Sequence, residues 1–132
     1  MCRLKSNTLV ICIAVVLLAL LSHAAFGAAA KMQKSVTQME DGKYLIKITV
    51  TASNSSIFAL KLIDPQASIL DVYAPRGWCI VSDGEDFLAR TSETPIRPGK
   101  SIEFIIHSST DDIHYTWAVF GMIKQLGQPG AL

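Results

Sequence analysis

His107 and His114 flank Ser108-Ser109-Thr110-Asp111-Asp112-Ile113, the stretch of the chain that sets imidazoles beside carboxylates. Neutral imidazole nitrogens and carboxylate oxygens ligate zinc or copper. If 108–112 connects two antiparallel strands, His107, Asp111, Asp112 and His114 form a candidate metal set. The competing reading is a polar hairpin loop with a histidine at each strand end. Met32 and Met122 could add thioether ligands or simply fill core space. Asp83-Gly84-Glu85-Asp86 is the densest acidic cluster and could offer oxygens to calcium. It lacks the spaced Asp-x-Asp-x-Asp-Gly pattern, and Asp-Gly is already a turn signal. Serines beside histidine do not make a Ser-His-Asp triad, which geometry defines. Paired acids for glycoside hydrolysis would need a cleft that a chain of this size has little room for. The reading is therefore of a non-catalytic protein that requires no cofactor.

The N-terminal segment bears on where such chemistry would operate. Arg3 and Lys5 precede an uncharged apolar run from Leu9 to Leu21, and small residues follow from Ala24 to Ala30. That order is the pattern of a secretory signal peptide, with a short helix and a cut before Ala28 or Lys31. The run is shorter than a membrane span requires. Residues 1–27 are thus expected to be a signal peptide, with cleavage as late as residue 30. The destination is secreted or periplasmic. The sequence leaves open whether the signal is cut or kept as an anchor.

Cleavage after Gly27 leaves 105 of the 132 residues, enough for one core and too few for two domains. It also leaves 10 Lys and Arg against 11 Asp and Glu. With no cationic cluster along the chain, nucleic acid is not an expected partner, and membrane contact is expected only through an uncleaved signal. Cys2 and Cys12 depart with the signal, so Cys79 remains alone, without an intramolecular disulfide. Between Trp78 and Ile80 it reads as a buried thiol, with a reactive or intermolecular role as the alternative.

The elements that must position these groups are strands. Tyr44, Ile46, Ile48 and Val50 alternate with Lys47, Thr49 and Thr51, the period of a strand with one buried face. Asp41-Gly42 marks a hairpin turn from a preceding strand over 32–40. Further strands are predicted over 57–63, 68–73, 78–81, 87–91, 102–106 and 115–120. The last is apolar nearly throughout, which suits a central position. Pro98-Gly99 supplies a type II turn, with proline presetting φ and glycine accepting positive φ. Seven to nine short strands without an amphipathic helix predict an all-β, antiparallel sandwich over residues 31–126. Gly127-Gln128-Pro129-Gly130 opens an expected flexible tail over 127–132.

Ala74-Pro75-Arg76-Gly77-Trp78, then Ile96-Arg97-Pro98-Gly99-Lys100-Ser101-Ile102-Glu103-Phe104, and finally Tyr115-Thr116-Trp117 follow one another in a familiar order. In that order the chain resembles immunoglobulin-like, fibronectin-III-like accessory domains of secreted and cell-surface proteins. The resemblance implies an immunoglobulin-like sandwich with a structural or binding role, and it brings no catalytic residues. The paired cysteines of antibody-type domains are missing.

The leading expectation is an exported binding or structural module whose partner is another extracytoplasmic protein or a surface component. Tyr73 and Arg76 are the candidate contact residues, because aromatic and arginine side chains anchor interfaces. Oligomerisation is open, since unpaired strand edges invite assembly. The alternative is a zinc- or copper-handling protein using the histidine set. A third reading, a carbohydrate-binding module, requires Trp78 and Trp117 to form an exposed platform.

Overall fold

The computed structural model describes residues 21–26, 29–64, 68–82 and 86–132, with side chains from Ala29 onward except that of Ser82. Its described elements are strands: β1 (Leu21–Phe26), β2 (Ala30–Gln38), β3 (Tyr44–Ala52), β4 (Ala59–Ile63), β5 (Ile69–Tyr73), β6 (Cys79–Ser82), β7 (Asp86–Arg90), β8 (Ser101–Ser108), β9 (Thr116–Phe120) and β10 (Gln125–Ala131). They form two five-stranded antiparallel sheets ordered β1-β2-β3-β8-β5 and β10-β9-β4-β7-β6. The chain crosses between sheets after β3, β4, β5, β7 and β8, so neighbours in one sheet are often distant in sequence. The antiparallel sandwich expected from the strand spacing is therefore the fold.

Alternation decides which residues fill the space between the sheets. Ile46, Ile48 and Val50 of β3 pair with Ile106, Phe104 and Ile102 of β8, so one face of both strands turns inward. Leu60 and Leu62 of β4, Phe87 and Ala89 of β7, and Trp117 and Val119 of β9 face them from the second sheet. Trp78 is buried, and its ring meets Phe104 edge-on, with centroids 5.5 Å apart and planes at 87°. Its indole Nε1 donates to the Thr94 carbonyl at 3.1 Å, which ties the β5–β6 and β7–β8 connections together. Lys100 N donates to the Arg97 carbonyl across Pro98-Gly99, with Gly99 at φ 80°, as the turn sequence predicts.

Two expectations need correction, for the C-terminal segment and for Cys79. The signal segment expected over residues 1–27 lies outside the described residues apart from Leu21–Phe26, which pairs as a strand with Lys31–Val36 of β2. This brings the strand total to ten, of which nine begin at Ala30 or later. Residues 127–132, expected as a flexible tail, belong largely to β10, which pairs with β9 around a register shift between Leu126 and Gly130. Leu132 is buried, and its N–H donates to the Tyr115 carbonyl at 2.8 Å. The glycines and the proline suggested fraying, whereas Gly130 is there for contact: a Cβ at that position would stand 2.5 Å from Cε2 and Cζ2 of Trp117. Cys79 is half-buried and disulfide-bonded rather than a free buried thiol. Cys2 and Cys12, the chain's other cysteines, lie outside the described residues. The Asp83-Gly84 turn also falls outside them.

A polar cluster closes one end of the sandwich where β4 crosses to β5. The Asp64 carboxylate is fully buried and accepts from Ser68 Oγ at 3.0 Å and Ile69 N at 3.0 Å, with a third bond from Ser68 N. Tyr115 is buried nearby, and its hydroxyl has no hydrogen-bond partner. Burial is the main cause that pushes its pKa above the ordinary tyrosine range. The Ser68 hydroxyl opposes the shift, Asp64 adds to it, and Ser108 opposes it more weakly.

Two measurements check this packing. Gly130→Ala should cost about 1–3 kcal/mol in urea unfolding, because the new methyl displaces the Trp117 indole. Since folded Tyr115 resists ionisation, its contribution to stability is constant below pH ~10 and then falls as the unfolded state loses the phenolic proton, by up to about 1.4 kcal/mol per pH unit. Tyr115→Phe should flatten that alkaline decline.

Candidate partner-docking face

The outward face of the β3–β8–β5 portion of the first sheet holds most of the candidate site. Outward residues on β8 are Ser101, Glu103, Ile105 and His107, opposite Thr51, Thr49, Lys47 and Leu45 of β3. On the other side, Tyr73 of β5 stands opposite Ile105, and Asp71 opposite His107. Most of this face is polar and wet. Thr51 Oγ1 and Ser101 Oγ share a hydrogen bond at 2.6 Å, and Lys47 meets Glu103 at 3.8 Å with both side chains about half exposed. Such an exposed ion pair contributes little to stability. Toward the β2–β3 turn the face becomes apolar: Met39 and Leu45 are buried, with Tyr73 and Ile105 packed against them.

A mismatch in strand length opens a depression beside Tyr73. β5 has five residues and pairs with β8 only from Ser108 back to Ile105, whereas β8 continues to Ser101. Ala74-Pro75 ends β5, because proline has no N–H for the ladder and holds its predecessor in an extended conformation. The chain then turns through Arg76-Gly77, where Trp78 N donates to the Pro75 carbonyl at 3.2 Å, and crosses to the second sheet. Residues Ser101–Phe104 of β8 consequently have β3 on one side and no described strand on the other. The resulting open depression measures about 490 Å³ and is lined by Thr49, Tyr73, Ala74, Pro75, Ser101, Ile102, Glu103 and Ile105. Unpaired strand backbone of this kind is a template for another strand.

Tyr73 therefore lines the depression, while Arg76 stands exposed in the following turn and is not part of the lining. The depression itself was not anticipated from sequence. Its signal was the contrast between a strand halted at Ala74-Pro75 and the longer alternating run beginning at Ser101.

The metal set is dispersed by the topology. His107 is half-buried within β8, its Nε2 buried without a hydrogen-bond partner. Asp111, Asp112 and His114 are exposed in the β8–β9 connection, where His114 Nε2 lies 3.1 Å from Asp112 Oδ1. Among the described residues, no three His, Cys, Asp or Glu side chains gather as a metal site. Asp86, from the acidic cluster weighed for calcium, lies 3.6 Å from Lys61 Nζ. Trp78 and Trp117 are both buried and provide no exposed platform for a sugar.

Comparison of the chain with protein-family models, with curated proteins and with solved structures finds no match. His107 offers a direct check on the structural reading of this face. With its Nε2 buried and unpaired, His107→Leu should be neutral or stabilising, within about 1 kcal/mol by urea unfolding.

Proposed function

We propose that the protein is an exported, non-catalytic, immunoglobulin-like module that binds another extracytoplasmic polypeptide through the open edge of β8. The observation that carries this reading is the unpaired stretch Ser101–Phe104 beside the Tyr73 depression. An extended partner segment can complete the ladder there, with main-chain hydrogen bonds supplying affinity. The apolar part of the depression, at Tyr73, Pro75 and Ile105, gives alternate side chains of that segment a place to bury. Glu103 and Thr49 sit at its polar side and would select among sequences. Export rests on the order of charged, apolar and small residues over 1–30, and the two packed antiparallel sheets are compatible with the immunoglobulin-like resemblance.

The test is native mass spectrometry of the protein recovered from its own host, together with amide hydrogen exchange. A stoichiometric polypeptide partner should be present, and its binding should slow exchange at Ser101 and Glu103, whose amides face the open edge while those of Ile102 and Phe104 face β3. Tyr73→Ala should weaken the complex by about tenfold or more, the usual loss at an aromatic anchor. A partner held equally well by that variant, without added protection on β8, would falsify the edge-docking reading.

A further inference from the structure

The two ends of the sandwich carry opposite charge, although the sequence shows no charged run. At the end formed by the β3–β4, β5–β6, β7–β8 and β9–β10 connections, Arg76, Arg90, Arg97, Lys100 and Lys124 are all exposed, against the single carboxylate of Glu93 among the described residues. Register and turn bonds bring them to this end: Arg90 pairs with both Ala59 and Cys79, and the Arg97–Lys100 turn is bonded to Ala52. At the opposite end, Glu40 and Asp41 of the β2–β3 turn and Asp111 and Asp112 of the β8–β9 connection are exposed, with Lys43 as the counter-charge. The nine-residue β3 runs between the two ends. It separates them by roughly 30 Å. That is several times the ~8 Å screening length at physiological ionic strength, so the ends do not neutralise each other.

Exposed apolar side chains divide between the same two ends. Met122 and Ile123 form the tip of the β9–β10 turn, at 72% and 92% exposure, beside Lys124. The turn is closed by Gly121 N donating to the Lys124 carbonyl at 2.8 Å. Tight turns usually carry Gly, Asn or Asp. Two large apolar residues there are therefore not explained by turn geometry. At the acidic end, Ile63 closes β4 at 40% exposure, and Leu70 is the extra residue of the β5 bulge at 48%. These four are the exposed large apolar side chains among the described residues.

We propose that the chain associates head to tail with further copies of itself, the basic, apolar-tipped end of one molecule seating on the acidic end of the next. Met122 and Ile123 bury against the Ile63 and Leu70 side of the partner copy, while charge complementarity orients the approach. Because the two surfaces differ, the contact is heterologous and each added copy exposes a fresh end, which builds open chains. The inference uses both ends of the sandwich and does not depend on the β8 edge.

Sedimentation and native mass spectrometry of the purified chain across concentration and salt test it. The wild type should grow beyond dimers at low salt and weaken by about tenfold or more as salt rises to physiological strength. Ile123→Asp, and separately the double variant Asp111→Lys with Asp112→Lys, should each remain monomeric and folded. Mixed together, they should form a two-chain species and nothing larger, since each retains one intact end. A wild type that stays monomeric, a closed dimer, or variants that fail to complement each other would overturn the proposal. So would Ile123-dependent binding to anionic lipid vesicles by a chain that remains monomeric, which would make the tip a membrane contact.

Discussion

The pairing of β3 with β8 is the constraint on which the remaining structure depends. Eight consecutive residue pairs, from Tyr44 with Ser108 to Thr51 with Ser101, join segments fifty or more residues apart. Strand side chains alternate, so a slip of one residue would turn Phe104 and Ile106 into solvent and bring Glu103 and Ile105 into the core. Burial of Phe104 beneath Trp78 fixes that register from the opposite direction. The Trp78 indole also holds the Thr94 carbonyl, so a single side chain couples the core to two connections at one end.

The other end depends on polar satisfaction. A fully buried carboxylate is costly unless donors surround it, and Asp64 receives them from Ser68 and Ile69 at the crossover from β4 to β5. Tyr115 is less well served, because its hydroxyl is buried without a hydrogen-bond partner. The contrast places local rigidity at Asp64 and leaves the phenol as a buried group whose ionisation opposes folding.

The surfaces left available follow from the same scaffold. β5 must leave the first sheet to deliver Trp78 to the core, and its departure uncovers the Ser101–Phe104 edge of β8. The exposed charge is sorted by the connections: hairpin turns and sheet crossings together gather basic residues at one end and acidic residues at the other. A nearly neutral composition therefore conceals a polar molecule, and the basis for dismissing a cationic surface, the absence of a Lys/Arg cluster in sequence, does not survive folding.

Much of the sandwich was legible locally. Alternation in 44–51 and 102–106, the stops at Asp41-Gly42 and Pro98-Gly99, and the apolar run at 115–120 each reflect interactions within a few residues, and each reappears as a strand or turn. The expected tail failed because Gly130 answers to Trp117, a contact invisible to composition. The positions of the two histidines were not legible because loop length does not dictate direction: His107 belongs to a strand face, while His114 belongs to an exposed connection. Tyr73 was recognisable as an aromatic at a strand end, but the depression beside it required the unequal lengths of β5 and β8. That the chain builds short amphipathic strands follows from local properties, period-two burial and turn chemistry. Which edges stay open and which charges share an end follows from the folded arrangement, because strand order and crossings are set by packing between residues far apart in the chain.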